Sequence, residues 1–340
     1  MTKYTLPPMR PEKVVCPNSD CGASGRIGVH SHKERRYICH GCKRTFADTT
    51  GTLLYRLKQP LDLVLVVLTL LAYGCPTRAL IAAFGLDERT IAAWQRKAGQ
   101  HAKQVQLHLV CHGSVELGQV QADELYTKTQ AGSVWVATAL SGFSRLWLWG
   151  AISWNRDEAL IMPVIEHTRA AAQPGKPILF AVDGFKAYVS TILKVFRDPL
   201  RTGKRGRPRL VVWDALHIVQ VVKHRAGKRL VGITRRLAHG KLSCAEALMQ
   251  ARQVEVGRIN TAYIERLNAT LRTWMPALVR RTRTPSGASV RLEAALFWTG
   301  CVYNFCHVHA TLAGTPAMAA DLTDHVWSID ELIRYRCHRE

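Results

Sequence analysis

Apolar and polar positions along this chain follow more than one period. From Leu61 to Tyr73 the sequence LDLVLVVLTLLAY is apolar nearly all round, the pattern of a buried helix. GCPTRALIAAFGLDERTIAAWQRKAGQHAKQVQ then predicts a short helix from about Pro76 to Phe84, a turn at Gly85–Leu86 and a second helix starting near Asp87, whose side chain suits an N-cap. After His112 the pattern becomes strand-like. VELGQVQADELYT, SVWVATAL and RLWLWGAIS are three β-rich runs separated by Gly/Ser turns, which predicts an antiparallel meander. RDEALIMPVIEHTRAAA is helical, with Ile161, Ile165 and Thr168 at helical spacing. KPILFAVDGF is a short apolar strand ending in Asp183, KAYVSTILKVF returns to helix, and INTAYIERLNATLRTWMPALVRR is a further helix-forming stretch. Aromatic-rich FWTGCVYNFCHVHATL is expected mainly to pack.

Upstream of these elements, Cys16 and Cys21 bracket PNSD, and Cys39 and Cys42 bracket HG. Two short cysteine knuckles turn their thiolates toward one point, which suits tetrahedral Zn²⁺. The intervening GRIGVHSHKERRYIC has strand-like spacing, the build of a zinc ribbon with a short hairpin. A segment this small draws its stability from the metal. The site is closed, hence structural. His30, His32 and His40 are alternative ligands, and the four-residue first gap loosens the match. The other six cysteines, Cys75, Cys111, Cys244, Cys301, Cys306 and Cys337, show no pairing pattern and are read as small core residues.

Charge narrows the partner. Lys+Arg total 47 against 25 Asp+Glu in 340 residues, a net charge of +22, so a polyanion such as nucleic acid is expected to relieve the self-repulsion. A merely basic protein, or one drawn to an anionic membrane surface, is the alternative. The longest apolar run contains Asp62 and is well short of the ~20 residues a membrane span needs. The N-terminus has no signal-like apolar stretch. These features predict a cytoplasmic protein with no membrane partner.

The helix pair with glycine in its turn has the form of a helix-turn-helix. Ile91, Ala92 and Trp94 are placed to pack inward, leaving Arg89, Thr90, Gln95, Arg96 and Lys97 for double-stranded DNA. An ordinary helical hairpin with a solvated basic face reads the same way. In RTGKRGRPRL, Arg205 and Arg207 flank glycine as in a minor-groove hook, with a flexible loop touching phosphates as the alternative. VVKHRAGKRLVGITRRLAHGK and RRTRTPSG add basic charge expected to hold DNA.

A three-strand meander, a helix and a buried strand ending in Asp is the order of a ribonuclease-H-like fold. Asp123 ends or interrupts the first strand, and Asp183 ends the fourth, expected beside it. Such carboxylates converge and can bind Mg²⁺. Glu265 is the best third acid, with Asn268 and Arg272 on its helix face. Two ions (Mg²⁺ or Mn²⁺) held there would support in-line phosphoryl displacement. Glu124 could exchange roles with Asp123, and Asp214 and Glu255 compete for the third position.

QADELYT, FAVDGFKAY, NTAYIERLNATLR and YNFCHVHATLAGTPAMAA, in this order behind a zinc ribbon and helix-turn-helix, resemble bacterial insertion-sequence DDE transposases, most closely the insertion-sequence-one type. The resemblance spans nearly the whole chain. It implies metal-dependent DNA cleavage and strand transfer at terminal inverted repeats, a nucleoid-associated location, and a homodimer or higher oligomer on DNA. It matches Asp123, Asp183 and Glu265 to the metal-binding triad, and Asn268, Arg272, Tyr303 and His307 to further motif positions, the first two expected at DNA. The expected organisation is an α/β multidomain chain: a flexible tail (1–15), zinc ribbon (16–50), helix-turn-helix (60–110), catalytic domain (115–320, with an insertion at about 197–258) and a C-terminal tail (321–340). A catalytically inactive DNA-binding regulator and a nuclease without strand transfer are the rival readings.

Overall fold

The computed structural model describes residues 7–21, 26–201, 203, 206–227, 229–251, 259–279 and 289–337. Three short strands, β1 (Ile27–Ser31), β2 (Arg36–Cys39) and β3 (Thr45–Ala47), form an antiparallel sheet, so the expected hairpin between the cysteine pairs gains a third strand. Helices α1 (Leu61–Ala72), α2 (Thr77–Phe84) and α3 (Glu88–Leu109) follow. Then come β4 (Gly118–Thr129), β5 (Gly132–Ser141), β6 (Trp147–Ser153), α4 (Glu158–Ala171), β7 (Ile178–Val182) and α5 (Lys186–Val195). The chain continues through β8 (Arg197–Leu200), β9 (Arg209–Val212), β10 (Leu216–Ala226), β11 (Arg229–His239), α6 (Leu242–Gln250) and α7 (Ala262–Trp274). It ends in α8 (Ser289–Phe305), α9 (Pro316–Ala319) and α10 (Ile329–Arg334).

The architecture is α/β around a mixed six-stranded sheet, ordered β11-β10-β7-β4-β5-β6. The meander β4–β5–β6 is antiparallel, as its turns predict. β7 lies parallel to β4, and β10 parallel to β7. Side chains of β7 alternate between two cores. Ile178, Phe180 and Val182 join the main core with Tyr188, Ile192 and Phe196, while Leu179 and Ala181 join a smaller core with Ala245 and Met249 of α6. Helices therefore cover both faces, which is why β7 is apolar throughout. The stretch 197–258, expected as an insertion, instead supplies two strands of the central sheet. LHIVQV in β10 is a fully buried run that the surrounding basic residues mask in the sequence.

The helix boundaries around the glycine turn fall where the sequence places them. Gly85 takes a left-handed φ of 62° to end α2, and Asp87 caps α3 by accepting a hydrogen bond from the Arg89 N–H at 2.7 Å. α1 is less enclosed than its composition suggests: Val64, Val67, Leu68 and Leu71 are buried, but Val66 and Leu70 are exposed.

α3 continues well past the turn and packs along α8. A Cβ at Gly99 would lie 2.4 Å from both Cα and O of Ala294, so glycine permits the close crossing. Gln106, fully buried, donates from Nε2 to the carbonyls of Trp147 and Leu148, tying α3 to β6. The stretch expected as a C-terminal tail carries α10, where the Leu332 carbonyl accepts from His101 Nε2 at 2.9 Å and the Ile333 carbonyl from the Leu53 N–H at 3.0 Å. Among the six unpaired cysteines, Cys301 is buried and Cys244 is exposed, so the core reading fails at Cys244. Among the described residues no helix is long and apolar enough to cross a membrane.

Two outcomes follow from this packing. Gly99→Ala must push backbone against backbone and is expected to lower stability by about 1–3 kcal/mol in thermal or urea unfolding, with Gln100→Ala on the exposed face near neutral. Burial holds the His101 pKa below its ordinary 6.5. The neutral ring is thus favoured in the folded state, and its contribution is complete above that value and lost as pH falls through the lowered one. The unfolding midpoint should drop on acidification below about pH 6.5, and His101→Gln should flatten part of that slope.

Candidate functional site

Among the described residues, two groups of side chains could hold a metal ion. In the first, Cys16, Cys21, Cys39 and Cys42 bring their sulfurs within 4.8 Å of one another. The Cys16–Cys42 and Cys21–Cys39 separations are 3.6 and 3.7 Å. Thiolates about 2.3 Å from a central Zn²⁺ form a tetrahedron with edges of about 3.8 Å, so the four sulfurs fit that ion. Backbone N–H groups favour two of the thiolates, that of Cys42 lowering the pKa of Cys39 and that of Arg44 lowering Cys42 to about 7, whereas burial raises Cys16 to about 12. His30, His32 and His40 are exposed and outside the group. The module also touches the C-terminal segment, where Arg336 donates to the Asp48 carbonyl and lies over the Tyr37 ring.

The second group lies where β4 outruns β7. The last β4–β7 pair is Ala122 with Val182, while β4 continues against β5 as far as Thr129. Asp123 is thus interior to a long strand rather than at its end. The chain leaves β7 at Asp183, whose Oδ1 accepts from the Phe185 N–H at 2.8 Å and fixes the turn. Asp123, Glu124 and Asp183 each offer an oxygen within 4.8 Å of the others. Adjacent positions on a strand point to opposite faces, and the end of β7 lets Asp183 reach both. Asp123 receives Asn268 Nδ2 at 2.8 Å on the α7 side, and Asn268 Oδ1 in turn accepts from Thr138 at 3.2 Å.

Glu265 lines the same cleft, of about 460 Å³, together with Asp123, Asp183, Lys223 and Arg225. Its carboxylate accepts from Thr261 Oγ1 at 2.7 Å and pairs with Lys223. Glu265 therefore faces the acidic group without belonging to it, and Glu124 supplies the third converging carboxylate. Asp214 is exposed ahead of β10, at the sheet end opposite Asp183. Glu255 lies outside the described residues.

Burial and mutual repulsion set the electrostatics. Burial, with Asp183 nearby, raises the Glu124 pKa to about 7, and burial likewise raises Asp123. The Glu124 side chain is 1% exposed, and its Oε1 is buried without a hydrogen-bond partner. Its Oε2 accepts from Arg156 at 3.0 Å, and the same guanidinium reaches Asp183 at 3.1 Å while lying over the Phe185 ring. An orphaned buried oxygen among converging carboxylates fits a divalent cation, whose hard-oxygen shell such a set supplies.

The remaining expected site residues divide. Arg89 and Arg96 are exposed on α3, with Thr90 and Gln95 partly so. Lys97 is turned away, donating to the Tyr55 carbonyl, and burial lowers its pKa. Asn268 is buried, 2% exposed, against Asp123, so it positions a carboxylate instead of meeting DNA. Arg272 is exposed on α7, and Arg207 is exposed ahead of β9. Arg205 and the RRTRTPSG run lie outside the described residues. Tyr303 and His307 pack with Trp274 as an aromatic cluster.

Sequence reasoning missed Arg156 and Gln121 as parts of this site, and it placed Lys223 in a basic run expected to hold DNA without pairing it to Glu265. The Gln121 carboxamide oxygen accepts from the N–H groups of Tyr263 and Ile264 at 3.0 and 2.9 Å, fixing the start of α7 to β4. A polar residue inside a buried strand was its signal; Arg156 had none, and Lys223 had only the basic run around it. No family model and no curated protein matches this chain.

Metal analysis is expected to find one Zn²⁺ per chain. Its removal by a strong chelator, or Cys39→Ser, should unfold the β1–β3 module and leave the far-ultraviolet signal of the α/β body largely intact. Full retention of the fold around β1–β3 without metal would count against the zinc assignment.

Proposed function

We propose that the protein is a DDE transposase of the bacterial insertion-sequence kind, one that binds the ends of its element, cleaves them and joins their 3′-hydroxyls to target DNA. The observation that carries the reading is the cleft itself. Asp123, Asp183 and Glu265, distant in sequence and borne on three elements, line one cavity with Lys223 and Arg225. A cleft lined by both acids and cations suits a phosphodiester held against metal ions. A meander, a helix and a parallel strand carrying the second acid support a ribonuclease-H-like reading of the sheet. The exposed arginines of α3, behind a glycine turn, support a helix-turn-helix reading.

Asp123, Glu124 and Asp183 would hold the first divalent ion, with Glu265 available to a second once Lys223 releases it. Bound ions would activate the attacking water or 3′-hydroxyl and neutralise charge on the leaving oxygen. The chain's own residues do the positioning. Asn268 locks the Asp123 rotamer, Gln121 fixes α7 and with it Glu265, and Arg156 neutralises carboxylates that would otherwise repel. Lys223 and Arg225 lie where they can grip a non-bridging phosphate oxygen. In each step an oxygen nucleophile forms a bond to phosphorus as the opposite P–O bond breaks, and the displaced 3′-oxygen leaves as the hydroxyl. No covalent bond to the protein forms.

The test is a donor plasmid carrying the gene with its native flanks, incubated with purified protein, Mg²⁺ and a target plasmid. Nicked or excised donor and joined product are expected. Asp123→Ala, Asp183→Ala and Glu265→Ala should each abolish both products while DNA binding persists. Asn268→Ala, which only loosens Asp123, should slow cleavage by about 10–100-fold. Cleavage without joining would replace the reading with a nuclease, and binding without any reaction would replace it with a DNA-binding regulator.

A further inference from the structure

The β10–β11 pair leaves the sheet. β10 pairs with β7 only as far as Gln220, opposite Val182, whereas its pairing with β11 continues through Ala226 and Arg229. Residues 221–226 and their β11 partners thus form a two-stranded ribbon, and Gly227, with a φ of 60°, begins the turn at its tip. The ribbon rises from the wall of the acidic cleft, where Lys223 and Arg225 line the cavity. β11 is one of the two edge strands of the sheet.

Its composition is unusual for an exposed edge. Leu230, Val231 and Ile233 are 45, 60 and 37% exposed. An uncovered apolar edge strand is an aggregation hazard that proteins normally remove. Here it is retained, among Arg225, Arg229, Arg235 and Arg236, and no Asp or Glu occurs between Asp214 and Glu246. A protein partner would need an acidic rim and an apolar centre together. Duplex DNA offers both features in one polymer: phosphates along the grooves, and an apolar base stack that side chains can enter where it opens.

We propose that the β10–β11 ribbon is a DNA-opening arm: Arg229 near its tip and Arg236 at its root in the sheet hold the backbone, and the apolar tip of Leu230 and Val231 enters the base stack next to the phosphate to be cut. The inference rests on the DNA-processing reading above and adds to it a preference for locally unpaired DNA. An arm that enters the stack gives up part of its binding energy to unstack a base step, a cost that a pre-opened duplex does not demand. The carboxylates need not act for that preference to show.

The experiment measures binding by fluorescence anisotropy with full-length Asp123→Ala protein, so that no cutting intervenes. The probes are a labelled mixed-sequence duplex of about 30 base pairs and the same duplex with a two-base mismatch at its centre. Binding to the opened duplex is expected to be about tenfold tighter. Leu230→Ser with Val231→Ser should erase that preference with intact-duplex affinity within about twofold, while Leu230→Met with Val231→Ile should keep it. Arg229→Ala with Arg236→Ala should weaken both probes equally and reduce the salt dependence by about two counterions. Circular dichroism and sedimentation check that each variant folds and show whether it self-associates. A preference that survives the serine changes, or is missing from the parent protein, overturns the arm. Serine variants that turn a dimer into a monomer with the preference intact would assign the edge to a second copy of the chain. Failure of the parent protein to bind either probe would overturn the DNA reading itself, an outcome distinct from loss of the preference alone.

Discussion

Register between two parallel strands brings the acidic side chains of this molecule together. β4 and β7 run side by side until Ala122 meets Val182, and there β7 stops while β4 does not. One residue further along each chain are Asp123 and Asp183. A shift of β7 by a single position would send every side chain on that strand to the opposite face and carry Asp183 out of reach. The two cores resist such a slip by shape: Ile178, Phe180 and Val182 fill one, Leu179 and Ala181 the other, and a slip would exchange side chains of unequal volume. Helix α7 is held against this arrangement by Gln121, a neighbour of Asp123 on the same strand face, so the third element of the cleft takes its position from the strand that bears the first acid.

Placing carboxylates together under partial burial has a cost, visible in the raised pKa values of Asp123 and Glu124. The structure offsets it with cations from other elements. Arg156, arriving from the loop before α4, bridges Glu124 and Asp183, and Lys223 on β10 pairs with Glu265. These pairs preserve the acidic group without filling it, since Glu124 Oε1 keeps no partner. A basic protein with an acidic hollow can attract a polyanion overall and still hold cations at one point.

The fold was legible where periodicity is strong and local. The helix pair and its glycine turn, the antiparallel meander, the apolar strand ahead of Asp183 and the α7 helix all stand close to where the pattern predicts them. What the pattern hid was sheet membership. β10 begins as a buried run and ends as a basic ribbon, and the net charge of the whole segment disguised its inner half as an insertion. Within the site, Asp123 and Asp183 were readable because strand position constrains them. Asn268 was misassigned because its helix face was known but not what covers it, and Tyr303 and His307 lie in an aromatic cluster, in keeping with their segment's packing reading. Arg156 and Lys223 reach the acids from loops and strands whose proximity depends on tertiary structure, which no local spacing encodes.

The tight passage of α3 over α8 at Gly99 carries a consequence for scale. A helix that begins beside exposed Arg89 is fixed near its other end by its own Gln106, bonded to the β6 carbonyls, and it runs unbroken between the two. On the proposed function, the molecule is then a ruler: the gap between the bases read at one end of α3 and the bond severed in the cleft is set by protein geometry, and it would not stretch to suit a binding site shifted by a base pair.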